Sequence, residues 1–157
     1  MNKKMFIVAI LTLIIDQVSK IIIEKYLIVK NSVTIIKNFF NLTLVYNKGA
    51  AWGLFADNKI LLFLITVIAT IVIIHFLRTF QNNTRNNIAF GMILGGMAGN
   101  LADRLLLGYV RDFLDFKIFS YNYPVFNISD IAIVVSVFLL IYAVLKGEDN
   151  DGNKSKR

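Results

Sequence analysis

The hydrophobic residues of this chain gather in four long segments that are separated by more polar stretches. The segments run over about 5–23, 60–77, 88–107 and 128–145. Each is close to the roughly 20 residues that a helix needs to cross about 30 Å of hydrocarbon. Because backbone polar groups in lipid must pair within their own segment, we expect helices. The pattern predicts an all-α integral membrane protein with four transmembrane helices in one domain, residues 1–145, and a polar cytoplasmic tail at 146–157.

The start of the chain, in which Lys3 and Lys4 precede the first apolar segment, is similar to a cleavable signal peptide. Asp16 and Lys20 interrupt that segment and no small-residue cleavage site follows, so we expect a retained first helix. An even number of spans places both termini on one side of the membrane. Basic residues are almost evenly divided between the two sides, but Lys3 and Lys4 beside the first span favour a cytoplasmic N-terminus.

The two long stretches on the opposite side of the membrane, about 32–55 and 108–126, are rich in β-branched and aromatic residues. In the first of them, residues 33–36 and 42–46 favour strands, which predicts a small sheet on the membrane face. Aromatic rings settle at the depth of the lipid head groups. The residues of the first stretch that suit this position are Phe39, Phe40, Tyr46, Trp52 and Phe55.

The composition supports a membrane protein and narrows its chemistry. Hydrophobic residues make up 57% of the chain, more than in a typical soluble domain. There is no cysteine, which excludes disulfides and a cysteine nucleophile. The net charge is +7, and because it lies mainly in loops and tails we expect lipid head groups as partners, with no nucleic acid. The only histidine, His75, lies far from the acidic residues, so we expect no Ser-His-Asp triad, metal site or cofactor.

Ionisable residues in the first span are candidates for function because such groups are costly in a membrane. Asp16 and Lys20 are four residues apart and share one helix face. One interpretation is an ion pair that extends to the outer interface, and the other is a direct role in a site.

The third span carries glycines at four-residue spacing, Gly91, Gly95 and Gly99. This spacing predicts a close approach by another helix. A polar group follows on one face, consisting of Asn100, Asp103 and Arg104. It favours either a structural hydrogen-bond network or a site that grips a peptide backbone.

Two further aspartates lie near the outer ends of the third and fourth spans. The apolar residues that flank Asp112 predict a partly buried, extended stretch, and a surface salt bridge with Arg111 or Lys117 is the alternative interpretation. Asp130 follows Asn127 at the head of the fourth span, where helix capping alone would also favour an acid. Two carboxylates held close in a poorly solvated site share one proton. One can then act as a base toward water while the other acts as an acid toward a scissile carbonyl.

Five motifs in order along the chain are similar to those of the lipoprotein signal peptidase family, also called signal peptidase II. They are Asp16-Gln17-Val18-Ser19-Lys20, Asn47-Lys48-Gly49-Ala50-Ala51-Trp52-Gly53, Gly99-Asn100-Leu101-Ala102-Asp103-Arg104, Val110-Arg111-Asp112-Phe113 and Phe126-Asn127-Ile128-Ser129-Asp130. The resemblance covers nearly the whole chain except the tail. It implies an aspartic endopeptidase of the bacterial cytoplasmic membrane. This family cuts diacylglyceryl-modified prolipoproteins just before the lipidated cysteine and so releases the signal peptide.

The resemblance also implies roles for individual residues. The implied catalytic pair is Asp112 and Asp130. The implied substrate-binding and supporting residues are Asn47, Asn100, Arg104, Asn127, Asp16 and Lys20. Two positions depart from the family pattern, because Arg111 stands where a small apolar residue is common and Lys48 where an arginine is common. We expect Arg111 either to lower the pKa of Asp112 or to face lipid head groups.

The resemblance further implies an orientation and partners. The active site would lie at the outer leaflet, both termini in the cytoplasm, and the first outer loop would form a small extracytoplasmic β-cradle. Membrane lipids and globomycin-type peptide inhibitors are the other implied partners, and a monomer is the simplest expectation. The alternatives are a proton-coupled four-helix transporter, which would explain Asp16 but not the motif-rich loops, and a non-catalytic scaffold.

Overall fold

The structure is a computed structural model that describes residues 2–29, 31–49, 58–119 and 121–149. The described part contains four helices and one four-stranded sheet. In chain order the elements are α1 (Lys3–Tyr26), β1 (Ser32–Ile36), β2 (Phe40–Asn47), α2 (Lys59–Leu77), α3 (Thr84–Leu106), β3 (Val110–Ile118), β4 (Tyr121–Asn122) and α4 (Ile128–Leu145). Trp52 and Phe55 of the predicted interface aromatics, and residues 150–157 of the predicted tail, lie outside the described residues.

Each of the four helices begins directly after an asparagine whose side chain accepts a hydrogen bond from a backbone N–H of the first turn. The four N-cap residues are Asn2, Asn58, Asn83 and Asn127. Asparagine is among the best N-cap residues, and such a cap stabilises a helix by about 1 kcal/mol relative to alanine. The polar residues that border the apolar segments therefore fix where the helices start.

The helices differ in how they suit a membrane. α1, α2 and α4 are long and apolar enough to cross one, and most of their side chains lie on the outside of the bundle. α3 does not meet that criterion, because glycines and polar residues interrupt its apolar sequence. It lies mainly against α1 and α4, with buried residues along most of its length. Neighbouring helices therefore shield its polar groups.

The glycines of α3 allow this close packing, as their spacing predicted. A Cβ on Gly91 would lie 2.7 Å from the backbone oxygen of Met5 in α1, and a Cβ on Gly95 would collide with the backbone oxygen of Ala9. Gly99 lies where α1, α3 and α4 meet, between the side chains of Asp16 and Ser129. Small residues let helix backbones approach each other closely. The prediction of a packing stripe on this helix is confirmed.

The sheet is antiparallel with the order β1-β2-β3-β4. The predicted strands of the first outer loop are present as β1 and β2. The fold is nevertheless not all-α with a sheet from that loop alone, because the second outer loop contributes β3 and β4. The first four residues of β3, 110–113, are buried, so both faces of the strand are covered there while it pairs with β2. The sheet therefore joins the two outer loops.

Two junctions determine where β3 lies. Gly108 adopts a positive φ of 82° at the end of α3, and its N–H donates to the backbone oxygens of Asp103 and Arg104. Glycine adopts this left-handed conformation without steric cost, so the chain turns at once into β3. Farther along, the backbones of Leu114 and Phe126 form a bridge, with N–O distances of 2.8 and 3.1 Å. This bridge places the start of α4 beside the middle of β3.

Candidate active site

Asp112 lies on β3 and is 2% exposed. Asn47 of β2 lies opposite Val110, which makes it the diagonal neighbour of Asp112 on the same face of the sheet. Its Nδ2 donates to Oδ2 of Asp112 at 2.9 Å, and Nδ2 of Asn127 donates to Oδ1 at 2.6 Å. Two neutral amides therefore hold the carboxylate in one orientation.

Asp130 lies in the first turn of α4 and takes part in a capping box with Asn127. Its backbone N–H donates to Oδ1 of Asn127 at 3.0 Å, and its Oδ2 accepts from the backbone N–H of Asn127 at 3.1 Å. Its other oxygen, Oδ1, accepts from Nδ2 of Asn100 at 2.8 Å. The capping interpretation of Asp130 is confirmed, and one carboxylate oxygen still points toward α3 and the neighbouring cavity.

A chain of amides connects the two aspartates. Nδ2 of Asn127 also donates to Oδ1 of Asn100 at 3.1 Å, so Asp112 is linked to Asp130 through Asn127 and Asn100. Asp112 and Asp130 line the same cavity of about 300 Å³. The lining also includes Asn47, Asn100 and Arg104. The structure therefore brings together five of the predicted site residues around one cavity, and the side-chain amide of the sixth, Asn127, donates to two of them.

The environment of Asp112 changes its acidity. Burial, followed by the negative charge of Asp130, raises the pKa of Asp112 to about 7. Hydrogen bonds from Asn47 and Asn127, and the positive charge of Lys20, lower the same pKa and offset part of the rise. An acid with such a pKa and a second carboxyl group at the same cavity can hold a single proton between them close to neutral pH.

Asp16 and Lys20 lie behind the cavity rather than in its lining. Both side chains are completely buried and form an ion pair at 2.8 Å. Asp16 accepts from the backbone N–H of Ser129 in α4 at 2.9 Å, and Nζ of Lys20 donates to Oδ1 of Asn100 at 2.9 Å. The alternative in which this pair extends to the outer interface is wrong, because it is enclosed where α1, α3 and α4 meet. It orients Asn100, which in turn binds Asp130.

Arg111 points to the opposite side of β3 from Asp112, as neighbouring residues of a strand do. Its guanidinium binds Asp103 at 2.7 Å, Glu24 at 2.9 Å and Oε1 of Gln17 at 3.0 Å. Both expectations for Arg111 are wrong. The guanidinium faces α1 and α3 instead of lipid head groups, and the charge that lowers the pKa of Asp112 is that of Lys20 rather than that of Arg111. Asp103 likewise belongs to this network and does not line the cavity.

Sequence reasoning missed Glu24, Gln17 and Tyr46. Glu24 also accepts from Oη of Tyr46 at 2.9 Å, and this carboxylate raises the pKa of Tyr46 to about 12. The sequence contained a signal for Glu24. Asp16, Lys20 and Glu24 recur at four-residue spacing and therefore share one helix face.

The surface salt bridge considered for Asp112 is not formed among the residues that the structure describes. Asp112 binds amides, and Oδ2 of Asp115 accepts from Oγ1 of Thr43 at 2.7 Å. Asp115 is therefore a carboxylate on the same strand whose hydrogen bond is made outside the cavity.

Comparisons with known proteins agree with this arrangement. A family model described as signal peptidase (SPase) II matches residues 8–146. The lipoprotein signal peptidase of Staphylococcus aureus is 38% identical over 160 residues, which covers 98% of this chain and 98% of that protein, and the protein from strain JH9 gives the same values. Two solved structures described as bacterial membrane enzymes have TM-scores of 0.83 and 0.81 at 37% identity. Both cover 90% of this chain, and 87% and 92% of their own.

The match to the family model spans nearly all of the described structure, and the identity to the curated relatives extends over almost the full length of both chains. The resemblance seen in the five motifs is thereby confirmed at the level of the family. This chain belongs to the signal peptidase II family and is a peptidase.

Proposed function

We propose that this chain is a lipoprotein signal peptidase that hydrolyses the bond before the diacylglyceryl-modified cysteine of prolipoproteins, with Asp112 and Asp130 activating a water molecule. The observation that supports this most directly is the shared cavity, in which the buried carboxylate of Asp112 and the partly buried carboxylate of Asp130 are joined through Asn127 and Asn100. Relatives named lipoprotein signal peptidase indicate the same substrate class.

The proposed reaction uses one proton that the two aspartates share. The ionised carboxylate takes a proton from water, and the resulting hydroxide attacks the scissile carbonyl carbon while the protonated carboxyl donates to the carbonyl oxygen. Collapse of the tetrahedral intermediate returns a proton to the leaving amine. The raised pKa of Asp112 supports a proton held in the site near pH 7.

Arg104 and Asn47 are suited to binding the peptide. Both line the cavity, and Nη2 of Arg104 lies 3.5 Å from the backbone oxygen of Gly49. A guanidinium that contacts one backbone carbonyl is suited to contact another, because its donors are arranged as a rigid fork. We propose that these two side chains orient the substrate backbone across the dyad.

The proposed location is the bacterial cytoplasmic membrane, with four spans, both termini in the cytoplasm and the cavity at the outer leaflet. α3 would be the fourth span, because its 23 residues extend about 35 Å and its polar groups are covered by α1 and α4. We also propose membrane lipids and globomycin-type peptides as partners, and a monomer as the working form. The transporter alternative depended on Asp16, which instead pairs with Lys20 and Ser129.

The test is cleavage of a lipidated prolipoprotein by the purified protein in detergent. We expect Asp112→Asn and Asp130→Asn each to lose activity by several orders of magnitude, as substitutions of other catalytic residues do. Asp115→Asn is the matched control, because it removes a carboxylate from the same strand as Asp112, and it should retain activity. Full cleavage by either dyad variant would reject the role of that residue.

A further inference from the structure

A second cavity, of about 480 Å³, adjoins the dyad cavity along α4. The two cavities have Tyr123, Phe126, Asp130 and Val134 in common. One wall of the second cavity consists of aromatic rings on the sheet side, and the other consists of aliphatic side chains of α4. We call it the α4 groove, and its lining is Phe39, Phe116, Ile118, Tyr123, Phe126, Asp130, Ile131, Val134 and Val135.

Contacts among the rings and hydrogen bonds of the backbone position the aromatic wall. The ring of Phe116 stacks on that of Phe126 with centroids 5.7 Å apart, and Phe39 meets the edge of Phe116 at 5.4 Å. Hydrogen bonds hold the backbone behind the rings, from Lys117 to Phe39 at 2.8 Å and from Tyr123 to Phe116 at 2.9 Å. Such aromatic pairs are favourable beyond their buried area. Contacts within the protein therefore hold the rings of this wall in place.

The α4 side of the groove begins at Asp130 and continues through Ile131, Val134 and Val135, which share one helix face. Exposed apolar side chains are expected on any helix that faces lipid. This face differs because it forms a concavity with the sheet, and because that concavity shares Asp130 and Val134 with the lining of the dyad cavity. The two adjoining cavities suit a ligand whose polar group lies at the aspartates and whose hydrocarbon chain lies in the α4 groove.

We propose that the α4 groove holds one acyl chain of the diacylglyceryl group on the substrate cysteine. The inference rests on the proposed function, which places that cysteine beside the scissile bond and hence beside the dyad. The groove volume falls within the range of about 300–1,000 Å³ typical of ligand sites. An acyl chain gains little by leaving a bilayer that is equally apolar. The groove therefore contributes more to the orientation of the lipidated cysteine than to the affinity for the substrate.

Filling the groove tests this role. Val135 lines the groove and Val137 does not, although both are on α4 and have similar exposures of 40% and 42%. We expect Val135→Trp to lower kcat/KM for a diacylated prolipoprotein by about tenfold or more, because small misplacements in a site can cost about 10²-fold. Val137→Trp should remain near the parent value. Equal activity of the two variants on substrates of every acyl length would overturn the proposal.

A second measurement does not depend on turnover. A prolipoprotein that carries a photoreactive group on one acyl chain is bound to the full-length Asp112→Asn variant and irradiated. We expect crosslinks at groove residues such as Phe116, Ile131 and Val135. Labels spread evenly over α1, α2 and α4 would overturn the proposal, as would a photoreactive phospholipid that labels the groove while the substrate labels elsewhere.

The two proposals fail in different ways. If the parent protein does not cut a lipidated prolipoprotein at all, the proposed function is wrong. If it cuts, while Val135→Trp cuts equally well and the acyl label misses the groove, only the assignment of the groove is wrong. Thermal unfolding of Val135→Trp and Val137→Trp separates loss of fold from loss of orientation, and the crosslinks provide a result if Val135→Trp does not fold.

Discussion

At the scale of single residues, each oxygen of the two proposed catalytic carboxylates accepts one hydrogen bond. Asp112 accepts from the side chains of Asn47 and Asn127, and Asp130 accepts from the side chain of Asn100 and the backbone of Asn127. These donors are neutral, and within the described part of the chain neither carboxylate forms an ion pair. Burial is then the largest influence on the pKa of Asp112 and raises it.

The raised pKa gives a pH dependence with a definite sign. An acid with a pKa of about 7 keeps its proton as the pH rises until that value is passed. Because the proposed reaction needs one shared proton, kcat/KM should fall as the pH rises above about 7. Asn47→Leu removes a hydrogen bond that lowers the pKa of Asp112, so the falling limb should shift upward by about one pH unit.

The measurement is kcat/KM against pH for the parent, Asn47→Leu and Asn41→Leu. Asn41 lies on the same strand but opposite Asp115, so its replacement should leave the falling limb in place. A limb that moves to lower pH in Asn47→Leu would contradict the assigned effect of that amide.

Arg111 offers a prediction about stability. Arg111 is 6% exposed, and its guanidinium pairs with Asp103 and Glu24. Arg111→Met would leave a buried carboxylate without this partner, and breaking a buried ion pair costs about 3–5 kcal/mol. Arg85→Met is the matched control, because Arg85 pairs with Glu148 at a more exposed site where such pairs contribute about 0–1 kcal/mol. Denaturant unfolding in detergent measures the free energy of unfolding of both variants. An equal loss of that free energy in the two would contradict the prediction.

At the scale of elements, β3 separates two environments by the alternation of its side chains. Asp112 faces the cavity, while Arg111 on the opposite face binds α1 and α3. A shift of one residue in the pairing with β2 would exchange the two faces. The pairing of Asn47 with Val110 and of Tyr46 with Arg111 therefore determines that the side chain of Asp112, and not that of Arg111, faces the cavity.

The start of α4 combines a helix cap with the hydrogen-bond network of the site, and the two roles can be separated. Asn127 caps the helix through Oδ1 and binds Asp112 and Asn100 through Nδ2. Asn127→Ser retains a good N-cap but removes the amide donor. We expect a small change in the thermal midpoint and a loss of kcat of about 10²-fold, because the carboxylates lose their alignment.

Asn127→Ala distinguishes the two contributions of this residue. It removes both the cap and the donor, so it should lose about 1 kcal/mol more stability than Asn127→Ser. Its kcat should be similar to that of Asn127→Ser. Full activity of Asn127→Ser would contradict a positioning role for the amide.

At the scale of the whole molecule, the sheet and the two aspartates lie at one end of the bundle. The other end has its own polar cluster, in which Glu148 accepts from Asn83 and Asn86 and pairs with Arg85. α3 lies against the other helices between these ends. The apolar exteriors of α1, α2 and α4 are suited to lipid along the length that separates the two polar ends.

The proposed orientation can be tested because the chain has no cysteine. Single variants Phe119→Cys and Asn82→Cys introduce one exposed thiol at each end of the bundle. In right-side-out membrane vesicles, an impermeant maleimide should label Phe119→Cys at once and Asn82→Cys only after the vesicles are opened. The reverse pattern would contradict cytoplasmic termini.

Much of the fold follows from local sequence. The apolar segments predicted all four helices, Asn127 was recognised as a cap at the head of the fourth, and the β-branched residues of the first outer loop predicted β1 and β2, although α3 begins four residues before its predicted start at 88. The positions of individual residues around the site were less predictable. Arg111 was expected near Asp112 or lipid, yet its position depends on which face of β3 turns toward Glu24, and strand register is a long-range property.

The sequence alone determined four helices, two of the four strands, the family motifs and the polar residues available to a site, because hydrophobic segments, helix caps and strand preference act over a few neighbouring residues. Only the tertiary structure decided that the backbones of Leu114 and Phe126 pair, which brings Asn127 against Asp112 and leaves a groove beside α4. Such contacts join residues far apart in the chain, and they depend on how complete elements pack together.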